Sequence, residues 1–324
     1  MLGFDTRFLG LVIDSMILVL FGMGLNILFG YTGLLSFGHS AFYGIAAYAF
    51  GLSITNSYGL IPTTHSVIPA ILIGVFVATL TAAIAGVVIV QRGGIYFAML
   101  TLALTMLFYE LANTLSNITG GDNGLIVPSQ TIDLGVYSFS SADTKMFYYL
   151  VLVIVVLSLL FAWRIVNSPY GELITAVREN PERLNFIGLS AKFYQWTAFV
   201  ISGAFAGLAG SLAALRNYVV SPSLLSWTTA ADPLLVTLIG GAYSFLGPVI
   251  GTIVYVGIEE ILIRFTDYWQ ISVGIILAFI VLFFPNGILG VWENRSDYDL
   301  QLLLKEQIGN RYTQFKKLFS GDQQ

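Results

Sequence analysis

Long apolar stretches separated by short polar segments dominate the pattern of residues along this chain. The stretches with the length of a membrane-crossing helix, about 20 residues, are 8–30, 36–55, 67–90, 95–116, 146–163, 197–216 and 270–291. Inside a bilayer each backbone amide needs a partner within the protein, which helices provide and open sheets do not. The pattern therefore predicts an all-α fold, a polytopic transmembrane helical bundle.

One further apolar stretch, 233–263, is too long for a single ordinary span. Gly240, Gly241, Gly247 and Pro248 interrupt it, and closely spaced Gly and Pro residues end helices. We expect two shorter helices that meet at this break. The bundle would then contain about eight to nine membrane helices, including broken or re-entrant segments.

The composition agrees with this pattern and excludes several kinds of chemistry. Charged residues make up 10% of the 324 residues, whereas soluble domains contain about a quarter. The chain has no cysteine, which excludes disulfides, thiol nucleophiles and zinc thiolate sites. A net charge of -4 argues against nucleic acid as a partner. The composition instead indicates that membrane lipid surrounds the chain.

Lys and Arg residues cluster in two segments and predict which side of the membrane each segment faces. Segment 164–192 and the tail after residue 292 hold nine of the 14 cations, whereas loops 111–144 and 217–231 hold none. The positive-inside rule places both cationic segments, and the turn at Arg92, in the cytoplasm. If segment 164–192 and the tail both lie inside, the chain between them must cross the membrane an even number of times. This requires 233–263 to cross twice. The same counting puts the N-terminus outside, unless the first 55 residues contain an extra crossing.

Two Gly-rich segments in the middle of apolar runs resemble each other. Residues 33–44 read GLLSFGHSAFYG, and residues 241–251 read GAYSFLGPVIG. Transporter halves often carry matched interruptions, where unwound backbone lines a cavity. On this hypothesis the residues that flank the translocation path are Ser36, Phe37, Gly38 and His39, together with Gly240, Gly241, Ser244 and Gly247. The alternative, that these glycines are close contacts between helices, stays open.

Acidic residues within the apolar runs favour helix ends over a proton pathway. Asp14, Glu110, Glu259 and Glu260 each lie near an end of an apolar stretch, and Arg264 follows the last two. A proton-coupled carrier needs an acid near the middle of the bilayer. We expect these residues to lie at the membrane interface, with a proton relay as the alternative.

The chain offers no candidate for catalysis. Its two histidines are far apart: His39 is expected to be a hydrogen-bonded packing residue and His65 a solvated turn residue. A P-loop requires Lys after Gly, and none of the five lysines follows a glycine. We expect no metal site, no cofactor, no enzyme activity and no nucleotide hydrolysis by this polypeptide.

The polar segment after residue 163 predicts two short helices across the cytoplasmic face. Ser168 and Pro169 form a helix-start signal, Asn180 and Pro181 separate the helices, and Gly188 can close the second. The residues expected to face the protein are Leu173, Ile174, Val177, Leu184 and Ile187. Those expected to project into the cytoplasm are Arg178, Glu179, Glu182 and Arg183. Such a rigid pair with mixed charge suits a docking surface better than a solvated connector does.

These segments resemble the inner-membrane permease subunits of branched-chain amino acid ABC importers, and in particular the second permease of the pair. The matching runs are 33–47 (GLLSFGHSAFYGIAA), 92–104 (RGGIYFAMLTLAL), 119–125 (TGGDNGL), the loop 168–188, 237–251 (TLIGGAYSFLGPVIG) and 285–290 (PNGILG). They occur in order over nearly the whole chain from the second span to residue 292. Their number makes the resemblance specific, although each run alone is a weak signal.

The resemblance implies partners and a coupling site. The partners are a second related permease, two ATP-binding subunits and an extracytoplasmic substrate-binding protein. The residues implied to couple to the ATP-binding subunits are Ala176, Arg178, Glu179, Asn180, Pro181, Glu182, Arg183 and Gly188. Residues 1–292 would form the permease domain, with 164–192 as its cytoplasmic coupling loop. The tail 293–324 lies outside the part shared with the family, and its lysines and spaced leucines predict a cytoplasmic amphipathic helix.

The substrate and the energy source each have alternatives at this point. The resemblance extends to permeases for urea or short amides. From another class, a stand-alone ion-coupled carrier would require an acid such as Glu110, and a passive channel would carry a small neutral solute. For an aliphatic amino acid we expect a weakly polar path in which backbone and hydroxyl groups meet the zwitterion without fixed counter-charges.

Overall fold

The computed structural model describes residues 6–55, 66–133, 138–265, 271–275, 278 and 287–290. Its α-helices are α1 (Thr6–Thr32), α2 (His39–Thr55), α3 (Val67–Ile89), α4 (Ile95–Thr114), α5 (Ser116–Thr119), α6 (Thr144–Val166), α7 (Pro169–Glu179), α8 (Pro181–Phe186), α9 (Ala191–Asn217), α10 (Trp227–Gly240) and α11 (Gly247–Phe265). The predicted spans before residue 266 are thus helical. The expectations for His65 and for the tail 293–324, and most of the span 270–291, lie outside the described residues.

Short 3-10 turns and strands connect the α-helices at one end of the bundle. They are two 3-10 turns, Gly121–Asn123 and Pro222–Leu225, and the strands β1 (Leu125–Ile126), β2 (Thr131–Asp133), β3 (Ser138–Ser140) and β4 (Val219–Val220). Strand β1 pairs with β4, and β2 with β3, both antiparallel. These two small ribbons are an addition to the predicted all-α bundle and lie in its connections.

Helices α1 and α9 form the centre of the bundle, and small residues let their neighbours approach closely. On α9, a Cβ added at Gly203 or Gly207 would lie 2.5 Å or 2.6 Å from the Cβ atoms of Ala82 and Ala78 on α3. In membranes, dispersion contacts between such small residues replace the hydrophobic effect as the main attraction between helices. Larger side chains here would separate α3 from α9.

The outer surface of the bundle is apolar. On α3, a row of exposed side chains repeats every four residues: Leu72, Phe76, Leu80, Ile84 and Val88. In the part of the chain that is described, α1, α3, α4, α6 and α9 are long and apolar enough to cross a membrane. A soluble protein rarely exposes so much apolar surface, so this exterior fits a polytopic membrane protein.

The two ends of the bundle differ as the distribution of cations predicts. At one end, which we call the basic end, Lys192 Nζ donates a hydrogen bond of 2.9 Å to Gln91 Oε1, so the turn at Arg92 adjoins segment 164–192. At the other, the loop end, Leu125 pairs with Val220, which joins the two cation-free loops. Helix α1 ends at the basic end, where Gly33 contacts Arg178, so its first residue lies at the loop end.

Stretch 233–263 forms a helical hairpin, as the sequence predicts. Helix α10 ends at Gly240 and α11 begins at Gly247, and the Tyr255 hydroxyl on α11 lies 3.5 Å from Asp232 Oδ1 on α10. A Cβ at Gly240 would overlap the carbonyl oxygen of Gly247. The packing interpretation therefore accounts for these two glycines.

Candidate functional site

Helix α7 begins where its sequence predicts, at a tight turn after α6. The Ser168 hydroxyl oxygen accepts a hydrogen bond from the Gly171 amide at 3.4 Å, and Pro169 occupies the first helical position, which its fixed φ angle favours. A Cβ at Gly171 would overlap the Val166 carbonyl oxygen. The turn thus requires glycine at this position and directs α7 away from the axis of α6.

A single asparagine separates α7 from α8. Asn180 has an extended backbone conformation, and its Oδ1 accepts a hydrogen bond from the Arg183 amide at 3.0 Å. Pro181 is the first residue of α8, and Gly188 has φ of +84° after its last turn. Two capped helices and a fixed elbow confirm the predicted helix pair.

The helix pair rests on the bundle through apolar side chains. Ile174, Val177 and Leu184 are buried, as predicted, and the Tyr170 hydroxyl lies 2.9 Å from Thr197 Oγ1 on α9. Burial raises the pKa of Tyr170 above its ordinary value, so this phenol stays neutral. The prediction for Ile187 was wrong: its side chain is 70% exposed, because α8 ends at Phe186 and Ile187 lies in the turn that follows.

The structure also corrects the prediction for Arg178, which does not project into the cytoplasm. Its Nη1 donates a hydrogen bond of 2.6 Å to the Gly30 carbonyl oxygen on α1. Its guanidinium carbon lies 4.7 Å from the centre of the Tyr243 ring, within the range of a cation–π contact. The physical reason is that free carbonyl groups at the end of α1 attract a cation. Glu179, Glu182 and Arg183, by contrast, are exposed as predicted.

Through Arg178, α7 contacts the start of the second Gly-rich segment, residues 241–251. This segment also contacts α1, since Asn26 Nδ2 donates a hydrogen bond of 2.8 Å to the Ala242 carbonyl oxygen. Gly241 adopts φ of +118°, which favours glycine, and Ser244 lies in the turn before α11. Arg178, one of the residues implied to couple, therefore meets the segment that holds half of the predicted path residues at the basic end.

The first Gly-rich segment lies inside the bundle and is bound from several sides. Ser36 and His39 are fully buried. The Phe37 amide donates to Thr101 Oγ1 on α4 at 3.1 Å, and a Cβ at Gly38 would lie 2.6 Å from the Thr101 carbonyl oxygen. The close approach of α4 accounts for the glycine. A position beside the translocation path stays a prediction for these four residues.

Hydrogen bonding assigns one neutral form to His39. Its Nδ1 lies 3.0 Å from Ser36 Oγ, and its Nε2 contacts Ser202 Oγ on α9. Ser202 donates its own proton to the Gly24 carbonyl oxygen at 2.6 Å, so Nε2 must carry the proton that Ser202 accepts. Ser36 then donates to Nδ1 and accepts from the Gly38 amide at 3.2 Å. This network supports the predicted packing role.

Charged side chains meet at the loop end. Asp14 accepts a hydrogen bond of 3.1 Å from Arg216 Nε on α9, and Glu260 pairs with both Arg7 and Arg264, at 3.3 Å and 2.8 Å. Arg264 thus pairs with Glu260, one of the two acids that precede it. Glu110 is exposed near the end of α4, as an interfacial residue would be.

Two of the charged residues at this end were not predicted as site residues from the sequence. Arg216 is a lone cation beside a loop free of cations, and Asp232 is the one charged residue between positions 217 and 258. These two isolated charges were the features of the sequence that could have pointed to the residues. Among the described residues, no group of three His, Cys, Asp or Glu side chains could hold a metal ion.

The bundle and the capped helix pair at its basic end describe a polytopic membrane protein with a structured surface at one end. The family model for the permease component of branched-chain amino acid transport systems matches residues 7–284, and the chain belongs to this family. It is a multi-pass protein of the cytoplasmic (inner) membrane and a permease subunit of an ABC importer. Membership of this family implies that the chain functions together with a second permease, ATP-binding subunits and a binding protein.

Curated relatives differ in what their names say they carry. The high-affinity branched-chain amino acid permease LivM of Escherichia coli is 32% identical over 299 residues, which cover 85% of this chain and 68% of the relative. A probable LivM of Methanocaldococcus jannaschii is 25% identical, covering 85% and 92%. The L-arabinose permease AraH of Azospirillum brasilense is 28% identical, covering 69% and 66%. No solved structure matches the chain.

Proposed function

We propose that this chain carries branched-chain amino acids into the cell as one of two permeases, and that α7 and α8 are its cytoplasmic docking surface for ATP-binding subunits. An extracytoplasmic binding protein would deliver the substrate at the loop end. Residues 1–292 would form the permease domain and 293–324 a cytoplasmic tail. The chain itself would catalyse no reaction.

The observation that carries this proposal is that the helix pair has one exposed side and one side that contacts the bundle. Its outer side exposes Glu179, Glu182, Arg183 and the 89% exposed Phe186. Its inner side holds the break between α10 and α11 through Arg178. A partner that moves these helices would therefore move a broken membrane helix directly, without an intervening flexible loop.

The names of the relatives support amino acids over the other substrates. Two LivM relatives with 32% and 31% identity are branched-chain amino acid permeases, and urea or short amides appear in none of the names given above. The arabinose permease shows that the fold also serves a neutral sugar. The substrate must therefore be tested directly.

Uptake of labelled leucine into proteoliposomes tests the function. We expect uptake with ATP when the second permease, the ATP-binding subunits and the binding protein are present, and none when the ATP-binding subunits are omitted. Uptake by this chain alone, driven by a proton gradient, would replace the proposal with an ion-coupled carrier. Uptake down a gradient without ATP would indicate a channel.

Two substitutions test the docking surface. In Glu179→Ala with Arg183→Ala, we expect ATP-driven uptake to fall about tenfold, which corresponds to the loss of about 1.4 kcal/mol of coupling, with the protein still folded. Arg92→Ala is the control, because Arg92 is an exposed cation at the same end but lies in the turn between α3 and α4. Equal uptake by both variants would contradict docking at the elbow.

A further inference from the structure

A cavity of about 250 Å³ lies between α1, α9 and α10 at the loop end. Its volume is close to the lower limit of small-molecule sites, roughly 300 Å³. The side chains that matter for binding are Asp14, Arg216 and Asp232 on its polar side and Ile17, Leu18 and Phe21 on its apolar side. A second cavity of about 460 Å³ adjoins it, since Asp14, Leu18 and Arg216 line both.

Arg216 supplies the positive side of the cavity. Its Nε and Nη2 face Asp14 at 3.1 Å and 3.5 Å, and its side chain is 31% exposed. A guanidinium has five N–H donors, so this contact leaves donors for a second anion. Because the guanidinium plane matches a carboxylate, arginine is well suited to hold a carboxylate ligand.

Asp232 supplies the negative side. It is half-buried on α10, and its Oδ1 accepts a hydrogen bond of 3.5 Å from the Tyr255 hydroxyl. The ion pairs within the described ranges join Arg7 to Glu260, Arg216 to Asp14 and Arg264 to Glu260, and none includes Asp232. A carboxylate withdrawn from water without a cation is costly, and an ammonium group would offset that cost.

We infer that this cavity is the site where the permease first holds its zwitterionic substrate. Arg216 binds the α-carboxylate, Asp232 binds the α-ammonium group, and the apolar side contacts the aliphatic side chain. The inference rests on the proposed function, which supplies the amino acid and the outward position of the loop end. It also replaces the prediction of a path without fixed counter-charges. A zwitterion makes a charge–charge contact at each end of the site, which a neutral solute such as urea or a sugar cannot make.

Binding of radiolabelled leucine to the complete transporter in lipid nanodiscs, without the binding protein, tests this site. In Asp232→Asn, which keeps the shape and removes the charge, we expect the dissociation constant to rise at least about tenfold. Unlabelled valine should displace leucine. Leucinamide, which lacks the carboxylate, and 4-methylpentanoate, which lacks the ammonium group, should not displace it at the same concentration.

Two further variants keep the test decisive. Replacing Arg216 alone leaves Asp14 unpaired, so the variant to measure is Asp14→Asn with Arg216→Gln, which removes both charges together and should also bind at least about tenfold more weakly. Glu110→Gln is the control, since Glu110 is exposed on α4, outside both cavities. It should bind leucine as the wild type does.

The outcomes separate this inference from the proposed function. Wild-type affinity in both cavity variants, or displacement by leucinamide, would overturn the site while ATP-driven leucine uptake with the binding protein still held. A wild-type transporter that fails to take up leucine with ATP would overturn the function itself. Proton-driven uptake that Asp232→Asn abolishes would turn Asp232 into a proton carrier and overturn the site.

Discussion

The two Gly-rich segments look alike in sequence but lie in different surroundings. The first, residues 33–44, places Ser36 and His39 in the interior, where α4 and α9 bond to it and Ser202 links it to α1. The second, residues 241–251, begins at the basic end, exposes Tyr243, and contacts α7 through Arg178. One segment joins buried helices, and the other connects a broken helix to the proposed docking surface.

This difference indicates which break a partner could reach. The hydrogen bonds of Ser36 and His39 are buried, and a buried network is costly to disturb, so the first segment fixes α2 against its neighbours. The second segment is also held from the inside, by the hydrogen bond that Asn26 donates to Ala242. Its exposed Tyr243, however, contacts a cation on the helix pair that would meet the ATP-binding subunits. The two segments are alike in sequence, and their contacts give them different roles.

The largest effect on stability is expected at the crossing of α10 and α11. In Gly240→Ala, the new methyl group would overlap the Gly247 carbonyl oxygen, so the helices must separate, at a cost of about 3 kcal/mol or more. In the control Gly257→Ala, also on this hairpin, nothing lies within 4 Å of the new Cβ. Thermal unfolding in detergent should separate the two variants, and equal stability would contradict the close crossing.

A smaller effect is expected in the first segment. His39→Ala removes the ring that Ser36 and Ser202 bind and leaves a small void, so we expect a loss of about 2 kcal/mol. His39→Gln restores an amide donor and acceptor and should recover part of this loss. If His39 serves packing alone, folded His39→Ala should still transport leucine, and a loss of transport would support its predicted position beside the translocation path. Thermal unfolding and uptake per folded molecule measure both, and unchanged stability would refute the bonding network.

The smallest effect on stability is expected for Arg178→Ala. Its hydrogen bond to Gly30 and its contact with Tyr243 are partly exposed, so about 1 kcal/mol should be lost. Arg178→Lys retains the charge and should recover part of that loss. A fall as large as that of His39→Ala would show that the Arg178 contacts hold the structure as strongly as the buried His39 network does.

The sequence predicted the helices because membrane spans and capping signals are local. Runs of apolar residues, Ser168 with Pro169, and Asn180 with Pro181 each determine their element without distant partners. The site could be predicted only in part, since its contacts join residues far apart in the chain. Arg178 has the spacing of a cytoplasmic side chain, and only the position of Gly30 and Tyr243 shows that it points inward. Asp232 and Arg216 likewise come to line one cavity only when α9 and α10 pack on α1.

The most direct test of the account is the number of leucine molecules transported per ATP hydrolysed by the complete transporter in proteoliposomes. Arg178→Ala should lower this ratio about tenfold, about 1.4 kcal/mol, because the proposed docking helices lose their link to the break between α10 and α11. His39→Ala, measured per folded molecule, should keep the wild-type ratio. A wild-type ratio in Arg178→Ala, or a fall in His39→Ala alone, would contradict the account.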